Sequence, residues 1–444
     1  MQSWETIGEV LDNEFSTVES VNGNLSRTHK GKVKQTIDNA MIIFYQDPIL
    51  KNAIKKNELT GKTDIVKELG WKRHSSGVTD TDEYQIQRYL EKNYEFVSDK
   101  VITKAMNIVA SENSYHPIRD FLERLEWDGI SRIDTLLPKY LGADDNEYTR
   151  EVMRLLMMAA IKRVYEPGCK FEIMVCLVGG QGAGKSTFFR FLSCMDEWFS
   201  DDLKRLDDDN VFRKLQGHWF IEMSEMIATV NAKCIEDIKS FISRQKETYK
   251  IPYETHPEDR PRQCVFVGTS NNMDFLPLDR TGNRRFAPIQ VHAERVEKHI
   301  LEDEEESRKY IIQAWAEAME LYRNSNHDLK LTKKTEEYLR ELQKQFMPED
   351  TKVGIIQAWL DECTEEYVCS MMIYREALKH ELEEPKQWEI REINGIMNDS
   401  IDGWNAITST HRFAKYGIQR GWKRVTNDDG MYPVPDAVKI PFDN

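Results

Sequence analysis

Residues 171–191 read FEIMVCLVGGQGAGKSTFFRF, and this stretch decides the fold class. An apolar run, Met174 to Val178, leads into Gly179, Gly180, Gln181, Gly182, Ala183, Gly184, Lys185, Ser186 and Thr187. A GxxxxGK[ST] spacing between a strand and a helix start is the phosphate-loop pattern. Its glycines let backbone N–H groups turn inward around phosphates, and the dipole of the following helix adds favourable potential. In such a loop Lys185 reaches the terminal phosphates of ATP and Ser186 ligates Mg²⁺. The bland alternative is a glycine-rich structural turn. The flanking strand and helix argue against it.

Three further apolar runs follow the loop: HWFIEM (218–223), RQCVFVGTS (262–270) and RRFAPIQV (284–291). Short apolar strands alternating with helices predict an α/β fold with a mainly parallel sheet. The second run ends in Glu222, and Glu225 follows three residues later. An acid at the end of a strand beside a phosphate loop can hold the metal's water shell and activate the attacking water. Glu222 is assigned to the metal; the base is either Glu222 or Glu225. The third run leads to Asn271, an amide placed to orient that water. The fourth is preceded by Arg284 and Arg285, which suit a finger inserted into a neighbouring subunit's site. An ordinary surface pair is the competing reading. Between the second and third runs, TYKIPYE (248–254) and a turn at Thr255 to Glu258 predict an inserted β-hairpin. Lys246, Tyr249, Lys250, Tyr253 and His256 would bring charge and stacking surface to single-stranded DNA in a central channel. A solvated hairpin without a ligand is the alternative.

The whole chain has 444 residues, Lys+Arg 61 against Asp+Glu 76, and a net charge of −15. That length suggests roughly three domains at about 150 residues each. The apolar content of 40% is enough for sizeable cores. No apolar run approaches the ~20 residues that span a bilayer, and the first residues lack a signal-peptide pattern; a cytoplasmic protein of a bacterial host, without a membrane partner, is expected. Seven cysteines without a CxxC pair suit reduced thiols rather than a disulfide framework or zinc ribbon. The acidic balance confines nucleic-acid contact to local patches or a channel. The expected layout is a mostly helical N-terminal region over 1–114, locally basic around Arg27, Lys30, Lys32 and Lys34, and a helical linker over 115–144. A core domain over 145–335 and a C-terminal domain over 351–444 complete it. In the first region, Ile86–Phe96 and Asp99–Glu112 carry amphipathic periodicity. Thr79-Asp80-Thr81-Asp82 imitates paired metal-binding aspartates, but its place before a helix predicts an N-cap. His116, next to Pro117, reads as a packed turn residue.

The C-terminal segment predicts three helices, GIIQAWLDECTE, SMMIYREALKHEL and KQWEIREINGIMNDS, followed by short strands. Arg412, Lys415, Arg420, Lys423 and Arg424 occur with no acid between them, interleaved with Phe413, Tyr416 and Trp422. That mix suits phosphate contact with stacking, as in a winged helix-turn-helix on duplex origin DNA. Glu389 and Glu392 on the third helix argue against major-groove entry, so a protein-binding role is the alternative.

Taken together, YHPIRDFLERLEWDGISRIDTLL, GGQGAGKST, GHWFIEMSEM, IKSFISRQKETYKIPYE, PRQCVFVGTSNN and DRTGNRRFAPIQV resemble, in order, the virulence-associated protein E (VapE) family of phages and pathogenicity islands. That family is related to superfamily 3 helicases within the AAA+ class. The resemblance spans about 115–291 and implies an ATPase core, a homo-oligomeric ring, usually hexameric, and ATP-driven movement on DNA. It also implies DNA-gripping residues on the hairpin, Asn271 as sensor, and Arg284 or Arg285 as finger. The separated acids Glu222 and Glu225 depart from the adjacent pair of many superfamily 3 helicases. Two rival functions are a DNA-binding ATPase that assembles on DNA or interferes with phage without strand unwinding and a small-molecule phosphate-loop kinase. The arginine pair and hairpin argue against the kinase.

Overall fold

The computed structural model describes residues 17–203, 206, 211–224, 232–249, 258–278, 283–296, 298–324, 328–380 and 383–425. The chain divides into two compact units, one running to Pro277 and again from Asn283 to Met347, the other from Pro348 onward.

At the centre of the first unit lies a five-stranded parallel sheet. Its strands are β1 (Met174–Val178), β2 (Phe199–Ser200), β3 (Phe220–Ser224), β4 (Val265–Ser270) and β5 (Phe286–Gln290), in the spatial order β2-β3-β4-β1-β5. All five residues of β1 and all six of β4 are buried. Side chains alternate across a strand, so continuous burial requires cover on both faces. One face carries Val175 and Leu177 into a core shared with the helices Glu147–Tyr165 and Glu304–Asn324. There Trp219 and Trp315, both fully buried, lie 4.4 Å apart between ring centres, each indole N–H donating to a backbone carbonyl. The other face carries Cys176, Ile221 and Phe266 against Ile235, Ile238, Phe241 and Ile242 of the helix Ala232–Ser243. The four strands expected from the sequence are all present. β2 escaped notice because two residues show no periodicity.

The N-terminal region has its own core, formed by helices Val18–Asn24, Ile37–Gln46, Asp80–Tyr94 and Asp99–Glu112 with an antiparallel strand pair, Ile54–Lys56 and Thr63–Ile65. Thr79 is the N-cap of Asp80–Tyr94, and Asp82 closes a capping box while pairing with Arg73 at 2.9 Å. Both Asp82 oxygens are thereby engaged inside the fold, as a helix start requires. His116 is buried, caps the helix Pro117–Glu123 and lies 2.6 Å from Gln263; burial lowers its pKa.

The linker segment just after Trp127-Asp128-Gly129 is held by a residue far away in sequence. Glu317, on the helix Glu304–Asn324, accepts from Ser131 Oγ at 2.6 Å, Arg132 N at 2.5 Å and Ile133 N at 3.0 Å. Glu317→Ala strands all three donors. It is expected to lower the unfolding free energy by about 2–4 kcal/mol, read from a denaturant midpoint, with Glu317→Gln recovering part of the loss.

The second unit runs through helix Thr351–Glu362, a short strand Tyr367–Val368, a helical segment Ser370–Met372 continuing into Ile373–Ala377, and helix Gln387–Asp399. Lys379 adopts a left-handed backbone (φ 61°), which cuts the second expected helix short. Trp422–Arg424 pairs antiparallel with both Tyr367–Val368 and Trp404–Ala406. His411–Phe413 and Gly417–Gln419 form a separate hairpin. Ile356, Leu360, Ile373, Ile393, Ile396 and Trp422 supply the core. Among the described residues of the chain, no helix is long and apolar enough to cross a membrane.

Candidate phosphate-loop site

β1 lies between β4 and β5, and the loop 179–184 leaves its carboxyl end, where parallel sheets place ligands. The chain bends tightly here. A Cβ added at Gly179 would stand 2.6 Å from the Val291 carbonyl oxygen, and Gly184, at φ 76°, is the N-cap of the helix Lys185–Leu192. Only glycine meets both demands without strain. The loop opens on a cavity of about 390 Å³, lined by Gln181, Gly182, Ala183, Gly184, Lys185, Ser186, Thr187, Ser224, Thr269, Ser270 and Asn271.

Lys185 is buried, and its Nζ donates to Gly179 O and Gly180 O at 2.7 Å and to Asn271 Oδ1 at 3.0 Å. The ammonium is therefore held at the cavity, ready to exchange neutral acceptors for anionic oxygens. The Lys185–Asn271 contact joins residues 86 positions apart that had separate reasons for selection. Glu222 is 1% exposed. Its Oε1 accepts from Ser186 Oγ at 2.7 Å and from the Thr269 hydroxyl. Its Oε2 is buried with no hydrogen-bond partner among the described residues. Burial raises the pKa of this carboxyl, and the charge of Asp201 raises it further. Asp201 follows β2, whose Ser200 pairs with Ile221, so it stands level with Glu222 on the adjacent strand. Thr269 and Asp201 were missed from the sequence. Their signal is register between parallel strands, which no local pattern carries. Glu225 lies outside the described residues.

The two arginines stand at the opposite end of the sheet. Arg285 O accepts from Met174 N, at the start of β1, whereas the loop leaves its end. At about 3.3 Å per residue, the separation along the strands is roughly 16 Å. Arg285 is half-buried and bonded through Nε to Ser243 Oγ at 2.8 Å, with Glu172 at 3.7 Å. Arg284 is exposed. The structure thus separates a braced arginine from an exposed one.

The inserted hairpin is present as Lys246–Tyr249 paired antiparallel with Glu258–Pro261, between β3 and β4. Lys246 pairs with Asp259 on the opposite strand. Lys250, Tyr253 and His256 lie outside the described residues. At the base, buried Arg262 binds buried Glu247, donates to Phe241 O and Ile242 O, and lies 4.6 Å from the Phe241 ring centre. That pair anchors the hairpin to the helix Ala232–Ser243; sequence reading overlooked it because Glu247 and Arg262 look like surface charges.

In the second unit, Arg412, Lys415 and Arg420 are exposed. Lys423, also exposed, pairs with Glu366 at 3.2 Å. Arg424 is used internally. Its guanidinium donates to the Leu360 and Cys363 carbonyls and lies 4.7 Å from the Trp404 ring centre. The expected basic set is therefore smaller than its sequence, because Arg424 holds the sheet to the first helix.

The geometry is that of a phosphate-loop α/β protein with a hairpin inserted before the asparagine strand. The chain belongs to the family defined by the virulence-associated protein E-like domain, which matches residues 122–348. No curated protein matches it. Among solved structures, the A form apo structure and the apo structure of the NrS-1 C-terminal region (305–718) are each 13% identical. Each alignment covers 84% of this chain and 96% of that one, with a TM-score of 0.46.

Proposed function

We propose that this chain is an ATP-hydrolysing DNA helicase or replication initiator of a mobile element, of the superfamily 3 type within the AAA+ class, working as a homo-oligomeric ring, a hexamer. The observation that carries the reading is the buried set at the strand ends: Lys185 on Asn271, Ser186 on Glu222, and a carboxylate oxygen of Glu222 with no partner among the described residues. Numbered along the chain, the sheet order 5-1-4-3-2 supports the AAA+ assignment. A buried carboxylate without a partner is costly unless something cationic completes it. Mg²⁺ fits there: Ser186 and Glu222 would hold it, and it would supply neutralisation of phosphate charge. Lys185 binds the terminal phosphates. Asn271 holds Lys185 and orients water, and Glu222 or Glu225 takes a proton from it. Arg284 acts on the neighbouring subunit's nucleotide, because it is about 16 Å along the strands from its own loop. The hairpin tip grips single-stranded DNA in the channel. The second unit, whose helix order and two-stranded hairpin support a winged-helix reading, binds duplex.

Unwinding of a forked duplex with ATP and Mg²⁺ tests this. DNA-stimulated hydrolysis without strand separation would select the alternative, an ATPase that assembles on DNA. For the second unit, the combined variant Arg412→Ala, Lys415→Ala, Arg420→Ala is expected to flatten the salt dependence of duplex binding by roughly 0.9 per lost phosphate contact. ATP turnover without DNA should not change. An unaltered slope would remove duplex binding from this unit.

A further inference from the structure

Residues 20–37 contain Arg27, Lys30, Lys32 and Lys34 and no Asp or Glu, in a chain of net charge −15. The structure turns this run into a built element. Arg27 and Val33 form an antiparallel bridge. Thr28 N donates to Lys32 O at 2.8 Å, Gly31 N to Thr28 O at 2.9 Å, and Lys34 N to Ser26 O at 3.0 Å. Asn39, 1% exposed, clamps both legs from below: its Oδ1 accepts from Ser26 N at 2.9 Å, and its Nδ2 donates to Ser26 O at 2.9 Å and Lys34 O at 2.8 Å. Val33 is buried in the N-terminal core. Arg27, His29, Lys30, Lys32 and Lys34 are all exposed.

A run of charge that only keeps a surface wet needs no such scaffold. Here a buried amide satisfies three backbone groups of one turn, so the cations project from a backbone already ordered, and binding does not have to supply that ordering. We propose that the turn Ser26–Lys34 is a binding site for the phosphate backbone of duplex nucleic acid. Arg27 turns its guanidinium back onto Gly31 O at 2.9 Å, leaving Lys30, Lys32 and Lys34, a cationic and sequence-neutral set that suits phosphate contact rather than base reading. Residues 26–34 contain no Phe, Tyr or Trp, so the stacking platform of a single-strand binder is missing. The site is additional to the inserted hairpin and to the second unit, and it rests on the reading that the chain works on DNA.

The experiment compares the full chain with the variant Lys30→Ala, Lys32→Ala, Lys34→Ala. Anisotropy of a labelled blunt DNA duplex, and of a single strand of the same length, is followed over a salt series. A control variant, Lys92→Ala, Lys100→Ala, Lys104→Ala, removes the same charge from exposed helix positions of the same region. The turn variant should lower the slope of log affinity against log salt by roughly 2–3 and weaken duplex binding at low salt about tenfold or more. Single-strand binding, ATP turnover without DNA and the thermal midpoint should stay at wild-type values. Equal losses in the control variant would reduce the effect to bulk charge and overturn the site. So would equal losses on single strand and duplex, or an unchanged slope. If the unaltered chain binds neither form of DNA, the reading of the whole protein fails with it. If it binds and the turn variant binds duplex with the wild-type slope, this site alone fails.

Discussion

Lys185→Ala is expected to lower ATP turnover by at least about 10²–10³-fold, because it removes the cation aimed at charge that develops on the transferred phosphate. The fold should survive. Of the acceptors Lys185 now serves, Asn271 lines the cavity and Gly180 is exposed, so water can replace the ammonium there. The companion variant separates binding from chemistry. Glu222→Gln keeps the side chain's volume and an oxygen able to accept from Ser186, but cannot take a proton from water. Turnover should fall about 10²–10⁴-fold while nucleotide is still retained. Nucleotide affinity by calorimetry, with single-turnover hydrolysis, checks both. Near-normal hydrolysis in the two variants would dissolve the active-site assignment.

The second large effect concerns the far end of the sheet. Arg284→Ala should cost about 10³–10⁵-fold in turnover with nucleotide affinity little changed, as for a finger that meets charge only in the transition state. Arg285→Ala should act differently. It breaks the bond to Ser243 and the contact with Glu172, so its first effect is on stability. If Arg284 works in trans, mixing Arg284→Ala with Lys185→Ala should restore part of the activity, since some interfaces then join an intact loop to an intact finger. Absence of recovery at every mixing ratio, with subunit exchange verified, would make Arg284 structural or place it in its own subunit's site.

Much of this is legible in the sequence. The strand–loop–helix pattern of 171–191, the three later apolar runs and the Thr79 helix start depend on neighbours a few residues apart, and periodicity and turn chemistry report those directly. The paired aspartates near residue 80 show the limit of a motif without context. Their fate was decided by the helix beginning there and by Arg73. Arg424 shows the opposite limit. It sits in a run of cations that reads as a binding face, yet two carbonyls from the first helix of its unit and the Trp404 ring claim its guanidinium.

By itself the sequence determined the class of the core, the order of its strands along the chain, the phosphate loop and the candidate list of acids, amide and arginines. Tertiary structure decided which members of that list share a site. It brought Asn271 onto Lys185 and left one oxygen of Glu222 buried without a partner among the described residues. It set Asp201 beside Glu222 through a two-residue strand, braced Arg285 while leaving Arg284 exposed, and clamped a basic turn with Asn39. The reason is physical. Backbone preference and periodicity act over a turn or a strand and are written locally. Burial, strand register and the competition among hydrogen-bond partners are settled between segments tens to hundreds of residues apart, and they exist only once the chain has packed.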